Sequence, residues 1–410
     1  MSVFKKVQIR SFKCFKDTDI TLSNFHILIG PNASGKTTFL EIFSLVKDVV
    51  SHGIGPRGAI ERRSSEIREL VFLGKGDRFE IALESPIPEK IAKTIRGNYD
   101  SIRYELRLGY LEGLGTGSLT ENLWLIPTSQ SSLFKESTPV VRERKPPNCK
   151  EIIRRKDPRK FDIFRAERAG NGRKEDWFTS FMLGIENSAL ASLPDDREIF
   201  PASVFFKEIL RNAVTPVFLN VKAMRSPSRL DAPDSFETDG SNMAKVIYNL
   251  SKTNSEVFQR WLQHVRSFLP DIQSISAKKE EKGYYIIVTY SGGAQVPSWL
   301  LSDGTLRFLA LTLLAYLDKP AVYLIDEPEN GLHPLAIDGV YQSLSSLYES
   351  QVFIATHSPV LLGLAKKEEI LLFKKEADGS VKIMPGQDHP VLKKWKEKPD
   401  MGTLFASGIL

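Results

Sequence analysis

The chain has 410 residues, 41% of them hydrophobic, which is enough for a substantial buried core and excludes global disorder. A chain of this length is expected to form about two or three structural units rather than one small domain. Lys and Arg number 56 against 50 Asp and Glu, a formal net charge of +6, and the two cysteines exclude a disulfide framework and suit a reducing compartment.

The N-terminal residues predict strands, a glycine-rich turn and a helix in succession. Residues 3–9 alternate apolar and polar side chains, and residues 25–29 form an apolar run that ends at Gly30. Residues 37–50 then place apolar side chains at helical spacing, and residues 51–68 are polar and predict a mobile loop. A strand, a turn and a helix in this order are the context in which a phosphate-binding loop forms.

The rest of the chain predicts two structured regions separated by a segment without clear periodicity. Strands are predicted over 70–73, 79–83 and 102–108, and the periodicity fades between about 111 and 200. Further elements are then predicted as helices over 204–213, 243–250 and 257–269 and as strands over 284–290, 322–325 and 352–355. The alternation near the C-terminus predicts an α/β core, with a mainly helical or irregular lobe inserted between its two halves.

The strongest motif is a full match to the phosphate-loop pattern. It reads Gly30, Pro31, Asn32, Ala33, Ser34, Gly35, Lys36 and Thr37, and Thr38 follows at the start of the predicted helix. Its glycines let the backbone wrap phosphates with inward-pointing N–H groups. Lys36 is expected to neutralise β/γ-phosphate charge and Thr37 to ligate Mg²⁺. The motif predicts binding of ATP and Mg²⁺, and the alternative, a chance turn, does not account for the strand before it and the helix after it.

A pair of acids follows the predicted strand at 322–325. Asp326 can hold Mg²⁺ directly or through water, and Glu327 can orient or deprotonate an attacking water. An apolar run that ends in acids is often only a strand end. Its pairing with a phosphate loop favours a catalytic role.

Two further motifs stand at the ends of predicted elements. Ser302 and Gly304 precede an apolar helix, where backbone N–H groups can bind an anion. His357 follows the strand at 352–355, and it should lie beside the acid pair if the two strands are neighbours. The order of phosphate loop, helix N-terminus, acid pair and histidine favours catalysis over a structural role for His357.

This ordered set resembles the ABC-type ATPase heads of the RecF/SMC-like class, especially the short AAA-family ATPases of bacterial defence and repair loci. The resemblance covers residues 1–110 and 215–375. Its motifs are Ile9 to Lys13, the phosphate loop, Asp239 to Asn242, Leu301 to Arg307, Asp326 to Pro334 and Thr356 to Pro359. A transporter subunit is disfavoured because Lys36 and Asp326 lie 290 positions apart, and a long-armed SMC protein is disfavoured because the insert has no heptads.

The resemblance implies an ATP-driven homodimer of heads, or a higher oligomer. In such a dimer, Ser302 and Gly304 of one subunit close over the γ-phosphate held by Lys36 of the other. It further implies that Glu327 is the general base, that His357 contacts the γ-phosphate, and that residues 330–333 communicate across the dimer. No Gln occurs between Lys36 and Gln130, so the family's Q-loop glutamine is missing or displaced and hydrolysis is expected to be slow.

The organisation predicted from these motifs has four segments. Residues 1–110 and 215–375 form the two halves of the ATPase head, residues 111–214 an inserted basic lobe, and residues 376–410 a tail. The apolar residues 404–410 either dock a partner or pack on the head. The chain has no apolar segment long enough to span a bilayer, which predicts a cytoplasmic protein without membrane contact.

The positive charge is concentrated between Arg142 and Lys174, which hold 13 Lys and Arg against 5 Asp and Glu. One interpretation is a surface for DNA, RNA or an acidic partner, and the other is a solvated loop. The expected contact residues are Arg154, Arg155, Lys156, Arg159 and Lys160, with Phe161, Phe164 and Trp177 interleaved.

Two functions from different classes follow from this sequence. The first is a dimeric ATP-gated switch that controls a separate effector, a nuclease or a toxin, in anti-phage defence. The second is a DNA-binding repair or maintenance ATPase that closes a clamp on DNA when ATP binds. A scaffold that does not hydrolyse ATP is a third and weaker alternative.

Overall fold

The computed structural model describes residues 3–128, 139–168, 178–317 and 321–394, together with residue 402. The strands are β1 (Lys6–Phe12), β2 (Phe15–Thr21), β3 (Phe25–Ile29), β4 (Arg78–Pro86), β5 (Tyr99–Leu111), β6 (Gly115–Pro127), β7 (Lys150–Arg155), β8 (Asp162–Arg165), β9 (Phe178–Phe181), β10 (Val214–Val217), β11 (Ile272–Glu280), β12 (Gly283–Tyr290), β13 (Gln295–Pro297), β14 (Val322–Asp326), β15 (Gln351–Ala355), β16 (Ile370–Lys375) and β17 (Val381–Pro385).

The α-helices are α1 (Lys36–Val50), α2 (Gly55–Glu61), α3 (Glu89–Ala92), α4 (Ala189–Ser192), α5 (Pro201–Glu208), α6 (Val221–Arg225), α7 (Met243–Thr253), α8 (Ser255–Phe268), α9 (Asp303–Leu313), α10 (Pro334–Ser345), α11 (Pro359–Leu364) and α12 (Pro390–Lys394). The chain divides into two compact units. Unit 1 comprises Met1–Asn24, Gly30–Val214 and Phe373–Met384, and unit 2 comprises Phe25–Ile29, Thr215–Leu372 and Pro385–Leu410.

Unit 1 contains an eight-stranded sheet with the order β2-β1-β4-β5-β6-β7-β8-β9, in which neighbouring strands are antiparallel. Helix α1 buries the apolar side chains spaced along one face, and its Phe39 and Phe43 pack edge to face with centroids 5.7 Å apart. Phe43 also contacts Phe4, and Phe39 contacts Phe15 and Phe373. These aromatic side chains fix the helix that follows the phosphate loop.

Charged residues are buried in the same sheet. Arg103 is fully buried, and its guanidinium bonds Glu84, Glu105 and Gln8 at 2.6–2.8 Å. Because buried charges are costly unless they are paired and hydrogen-bonded, this network ties β1, β4 and β5 to one register.

Unit 2 is built on parallel strands. The six-stranded sheet has the order β10-β14-β15-β3-β16-β17, with β14, β15, β3 and β16 parallel to one another, and the chain enters unit 1 at Phe373, within β16. A separate antiparallel sheet contains β11, β12 and β13. In the core, the fully buried Trp261 of α8 donates its indole N–H to Thr312 Oγ1 of α9 at 3.1 Å.

Several sequence predictions about secondary structure are wrong. Within the segment 111–214 the sequence missed strands β6 to β9, and β6 lies beside β5 over its whole length. Residues 70–73, predicted as a strand, lie in two 3₁₀ turns except for Val71, which forms an isolated bridge with Phe12, and the predicted loop at 51–68 contains α2. The four-segment division of the chain stays a prediction, and the two compact units do not follow its boundaries. Residues 404–410 lie outside the described residues.

Candidate functional site

The phosphate loop joins β3 to α1 in the order that the sequence predicts. Gly35 and Ala33 have φ angles of 88° and 59°, in the left-handed region, and α1 begins directly after Gly35. A Cβ on Gly35 would lie 2.6 Å from Cys14 Sγ, and one on Gly30 would lie 2.4 Å from the Phe373 carbonyl oxygen. Glycine is therefore needed at both positions, for backbone conformation and for space.

Lys36 is folded back over the loop that precedes it. Its ammonium donates to the carbonyl oxygens of Gly30 at 2.9 Å and Pro31 at 3.1 Å. The side chain of Ser34 is buried, and its Oγ has no hydrogen-bond partner among the described residues. An orphaned hydroxyl in a loop of inward-turned backbone, next to the N-terminus of a 15-residue helix, fits a phosphate group.

In unit 2, the acid pair and the histidine lie at the same edge of the parallel sheet. Asp326 at the end of β14 is in register with Ala355 at the end of β15, and Ala355 is in register with Leu28 of β3. The Thr356 N–H continues this edge by donating to the Leu28 carbonyl oxygen at 3.1 Å. The predicted adjacency of the acid-ended strand and the strand before His357 is confirmed.

Glu327 has an unusual backbone conformation. Its φ is 48°, rare for a residue with a side chain, and its N–H donates to the Ala355 carbonyl oxygen at 2.8 Å. Asn330 Nδ2 donates to Glu327 Oε2 at 2.7 Å, which fixes the direction of the carboxylate. Strained backbone that is held by surrounding hydrogen bonds is common at active sites.

Sequence reasoning missed Glu329, two positions after Glu327. Its Oε1 accepts hydrogen bonds from Thr356 Oγ1 at 2.6 Å and from the His357 N–H at 3.0 Å, and its Oε2 is buried without a partner among the described residues. Glu329 therefore anchors the backbone of the histidine motif. The signal available in the sequence was a third acid in the run from Asp326 to Glu329.

The signature residues cap helix α9. Ser302 is the N-cap, and its Oγ accepts from the Thr305 N–H at 3.1 Å. A Cβ on Gly304 would lie 2.6 Å from the Gly331 carbonyl oxygen, so the start of this helix lies close against the loop that follows the acid pair. That spacing admits only glycine at 304.

A second missed residue, Arg225, holds this helix start from the side. Its Nη2 lies 2.6 Å from Asp303 Oδ1 and donates to the Leu301 carbonyl oxygen at 3.0 Å. Arg225 ends α6, which is 78 positions before Asp303 in the chain, and no local pattern connects the two residues.

The basic segment is only partly a free surface. Arg154 and Arg155 are 2% and 0% exposed, and Arg155 forms a bidentate pair with Asp162 at 2.8 and 2.9 Å. Phe164 is also fully buried and stacks on Phe181. The prediction that these three residues contact nucleic acid is therefore wrong.

Other members of the predicted contact set remain accessible. The exposed ones are Lys156, Arg159, Lys160 and Phe161, whereas Trp177 lies outside the described residues. Among the described helices, none is long and apolar enough to cross a membrane.

The predicted site residues thus fall into two groups. Gly30 to Thr38 form one motif in unit 1. Asp326, Glu327, His357, Ser302 and Gly304 belong to unit 2, where hydrogen bonds join the acid loop to the histidine backbone and close packing joins it to the helix at Ser302. Thr37 of the loop motif and Asp326 of the acid pair each carry an oxygen donor of the hard kind that magnesium prefers.

Comparison with known proteins gives matches along most of the chain. An AAA ATPase domain model matches residues 3–162, and a model described as "AAA domain, putative AbiEii toxin, Type IV TA system" matches residues 161–363. The OLD nuclease of Thermus scotoductus (strain ATCC 700910 / SA-01) is 39% identical over 44 residues, 11% of this chain and 8% of that protein. The Old nuclease of Escherichia phage P2 is 34% identical over 91 residues, 19% of this chain and 16% of that protein. The matches thus span a small part of these relatives.

Solved structures share the fold at low sequence identity. An SMC head bound to the C-terminal winged-helix domain of ScpA aligns with a TM-score of 0.54 and 17% identity, covering 93% of this chain and 97% of that one. An SMC head with an extended coiled coil, bound to the C-terminal domain of ScpA from Pyrococcus furiosus, aligns with a TM-score of 0.50 and 14% identity, covering 93% and 96%. The two AAA models together match residues 3–363, so the chain belongs to the AAA-family ATPases, and its fold is like that of an SMC head.

Proposed function

We propose that this P-loop ATPase is a slow ATP-hydrolysing switch that works as a homodimer of heads and controls a separate effector. The observation that carries the proposal is the acid loop. Glu327 is held in a strained conformation by Ala355 and Asn330, at the sheet edge that also carries Asp326. A fixed carboxylate at the end of a buried strand is what a water-activating base requires.

The phosphate loop and the acid pair together are proposed to form the ATP site. The loop N–H groups and Lys36 hold the phosphates, after the Lys36 ammonium exchanges its present carbonyl partners for phosphate oxygens. Thr37 and Asp326 hold Mg²⁺, which when bound neutralises charge on the β- and γ-phosphates. Glu327 accepts the proton of the attacking water while Asn330 keeps the carboxylate aimed.

Two elements are proposed to make the site respond to the γ-phosphate. His357 contacts the γ-phosphate from the same head, and its backbone position depends on Glu329. Ser302 and Gly304 contact the γ-phosphate held by a second copy, through N–H groups at the start of α9. Because Gly304 lies close against Gly331, closure of the dimer would be transmitted directly to the acid loop.

A nuclease or toxin is proposed as the effector, with anti-phage defence as the setting. The local similarity to two OLD nucleases and to a family described by a putative toxin supports this choice. The alternative of a DNA clamp loses support because Arg154 and Arg155, two of its expected contact residues, are buried.

The proposal is tested by measuring molecular mass by light scattering, with and without ATP and Mg²⁺. Glu327→Gln is expected to accumulate an ATP-dependent dimer, because it binds ATP without turning it over. Lys36→Ala should stay in the nucleotide-free state, and Glu281→Gln, the same chemical change at an exposed position, should behave as the wild type. If the molecular mass of Glu327→Gln is the same with and without ATP, the proposed ATP-dependent switch is contradicted.

The effector is tested separately. Glu327→Gln is captured from a lysate of the native host in the presence of ATP, and the mass of the captured assembly is measured. The expected result is one stoichiometric nuclease or toxin that Lys36→Ala does not retain. Equal recovery with both variants would contradict ATP-gated control of a partner.

A further inference from the structure

A cavity of about 530 Å³ in unit 1 is lined mainly by basic side chains. It lies at one end of the eight-stranded sheet, where β5 and β7 begin and β8 ends, and it shares no residue with the phosphate loop. Its lining residues are Arg96, Gly97, Tyr99, Lys145, Cys149, Lys150, Glu151 and Arg165.

The charge of this lining is strongly positive. Four cationic side chains face one carboxylate, that of Glu151, which pairs with Arg165 at 3.3 Å. Burial raises the pKa of the Cys149 thiol to about 11, so the thiol adds no negative charge at neutral pH. The cavity therefore presents an excess of three positive charges.

Two of the cations are free to bind a ligand. Arg96 and Lys145 are exposed, and within the part of the chain that the structure describes neither is paired with a carboxylate. Lys150, by contrast, donates its ammonium to the Glu167 carbonyl oxygen at 3.1 Å. Like charges gathered in a concave site concentrate the field and favour an anion. Among the described lining residues, Glu151 is the only carboxylate.

The shape favours a ligand larger than a bare phosphate. Cavities of about 300–1,000 Å³ hold small organic molecules. Tyr99 forms part of the wall, and Gly97, at φ 113°, passes so close that a Cβ there would lie 2.5 Å from the Tyr99 ring. Because Gly97 has no side chain, the Tyr99 ring can lie beside the cationic side chains of the cavity. The Glu151 carboxylate can accept hydrogen bonds from amino or hydroxyl groups of a ligand.

We propose that this cavity binds a nucleoside phosphate, with Arg96 and Lys145 on the phosphate and Tyr99 against the base. The nucleoside phosphate is either a free nucleotide or the 5′ end of a single nucleic-acid strand, and both present the same phosphate and base to the cavity. The site goes beyond the ATPase switch and does not rest on it, because it uses none of the ATP-site residues.

The test measures binding of dTMP and of a short 5′-phosphorylated oligothymidylate to the full chain, by calorimetry and fluorescence anisotropy. All proteins compared carry Lys36→Ala, which removes the phosphate-loop ammonium without adding a nucleotide that could itself occupy the cavity. Arg96→Ala/Lys145→Ala is expected to weaken binding about tenfold or more. For the oligonucleotide, this variant should also reduce the slope of log K against log salt by about 1.4, the value for two lost phosphate contacts.

The matched control is Arg144→Ala/Lys156→Ala, which removes the same charge from exposed positions of the basic segment outside the cavity. It should bind nearly as the wild type does. Tyr99→Leu should lower the affinity for the probes about fivefold or more, whereas Tyr99→Phe keeps the ring and should keep the affinity.

The two probes distinguish a site for free nucleotides from a site for strand ends, and the control variant and polyglutamate test for non-specific charge effects. Binding of dTMP assigns the cavity to free nucleotides, and binding of the oligonucleotide alone assigns it to strand ends. The proposal is overturned if neither probe binds, if the control variant loses as much affinity as the cavity variant, or if polyglutamate competes as well as the nucleotide. Melting curves of each variant confirm that the protein remains folded.

Discussion

Glu329 gives the sharpest prediction about how the histidine motif is held. Its Oε1 accepts two hydrogen bonds, at 2.6 Å from Thr356 and 3.0 Å from the His357 N–H, and Thr356 is fully buried. Glu329→Ala removes both bonds and leaves the His357 N–H and the Thr356 hydroxyl hydrogen without their acceptor, although Thr356 Oγ1 still accepts from the Ser358 N–H at 2.9 Å. Two hydrogen bonds to a charged group contribute about 3–6 kcal/mol together.

That loss is partly offset. The other carboxylate oxygen of Glu329 is buried without a partner among the described residues, and relieving one such atom returns about 1–3 kcal/mol. The expected net loss is about 2–3 kcal/mol, which corresponds to a fall in melting temperature of roughly 4–12 °C for a unit of this size. Glu329→Gln keeps an acceptor oxygen and should lose about half as much.

The effect of Glu329→Ala on ATP turnover is expected to come from a shift of the His357 backbone rather than from the lost charge of Glu329. A shift of about 1 Å in a group that contacts the transferred phosphate lowers the rate about 100-fold. Steady-state ATP turnover of Glu329→Ala should therefore show kcat reduced about 10- to 100-fold, with KM changed only a few-fold because the phosphate loop is intact. Glu329→Gln should recover most of the kcat.

Both readouts can refute this reasoning. Wild-type turnover by a folded Glu329→Ala protein would show that the His357 backbone needs no anchor. Equal kcat values for the Ala and Gln variants would show that the acceptor oxygen is not what matters.

Three further predictions concern other parts of the chain. Gly304→Ala forces a Cβ to within 2.6 Å of the Gly331 carbonyl oxygen, so ATP turnover and ATP-dependent dimerisation should both fall while ATP binding, measured by calorimetry, persists. Arg155→Met leaves buried carboxylates without their counter-ion and should cost about 3–5 kcal/mol in urea unfolding, against about 0.5 kcal/mol or less for the exposed neighbour Lys156→Met. Burial lowers the pKa of His26 from 6.5 to about 4, so its contribution to stability is complete above pH 6.5 and is lost as the pH falls towards 4; melting curves of His26→Phe should be less sensitive to pH over that range.

The sequence was informative where chemistry and local spacing coincide. Strand β3, the phosphate loop and α1 follow one another without interruption, so their order could be read from apolar spacing and two glycines. The neighbouring positions of Asp326 and Thr356 followed from two short apolar strands that end in polar residues.

Strand β6 shows why the strands of the inserted segment were missed in the sequence. Its residues 117–126 are all buried, yet they include Ser118, Thr120, Glu121 and Asn122. Polar residues on the buried face remove the apolar alternation by which a strand is recognised. They are tolerated because partners from distant strands satisfy them; Arg154, for example, donates to Asn122 Oδ1 at 3.0 Å. Such partners are a property of the tertiary fold.

Buried pairing with carboxylates also explains why the basic segment was interpreted incorrectly as a contact surface. A run of positive charge usually lies on a solvated face, and nothing local distinguishes Arg155 from Lys156. In the structure Arg155, the last residue of β7, is buried against Asp162, whereas Lys156, which follows the strand, is exposed. The net charge of a segment therefore says little about how many of its cations can bind a ligand.

The most direct test of the account is ATP turnover by Glu327→Gln, measured alongside wild type at saturating ATP and Mg²⁺. Removal of a general base costs about 10²- to 10⁴-fold in rate, so we predict turnover at least about 100-fold below the wild type with ATP still bound. Turnover within about twofold of the wild type would contradict the assignment of Glu327 as the base, and with it the proposed switch.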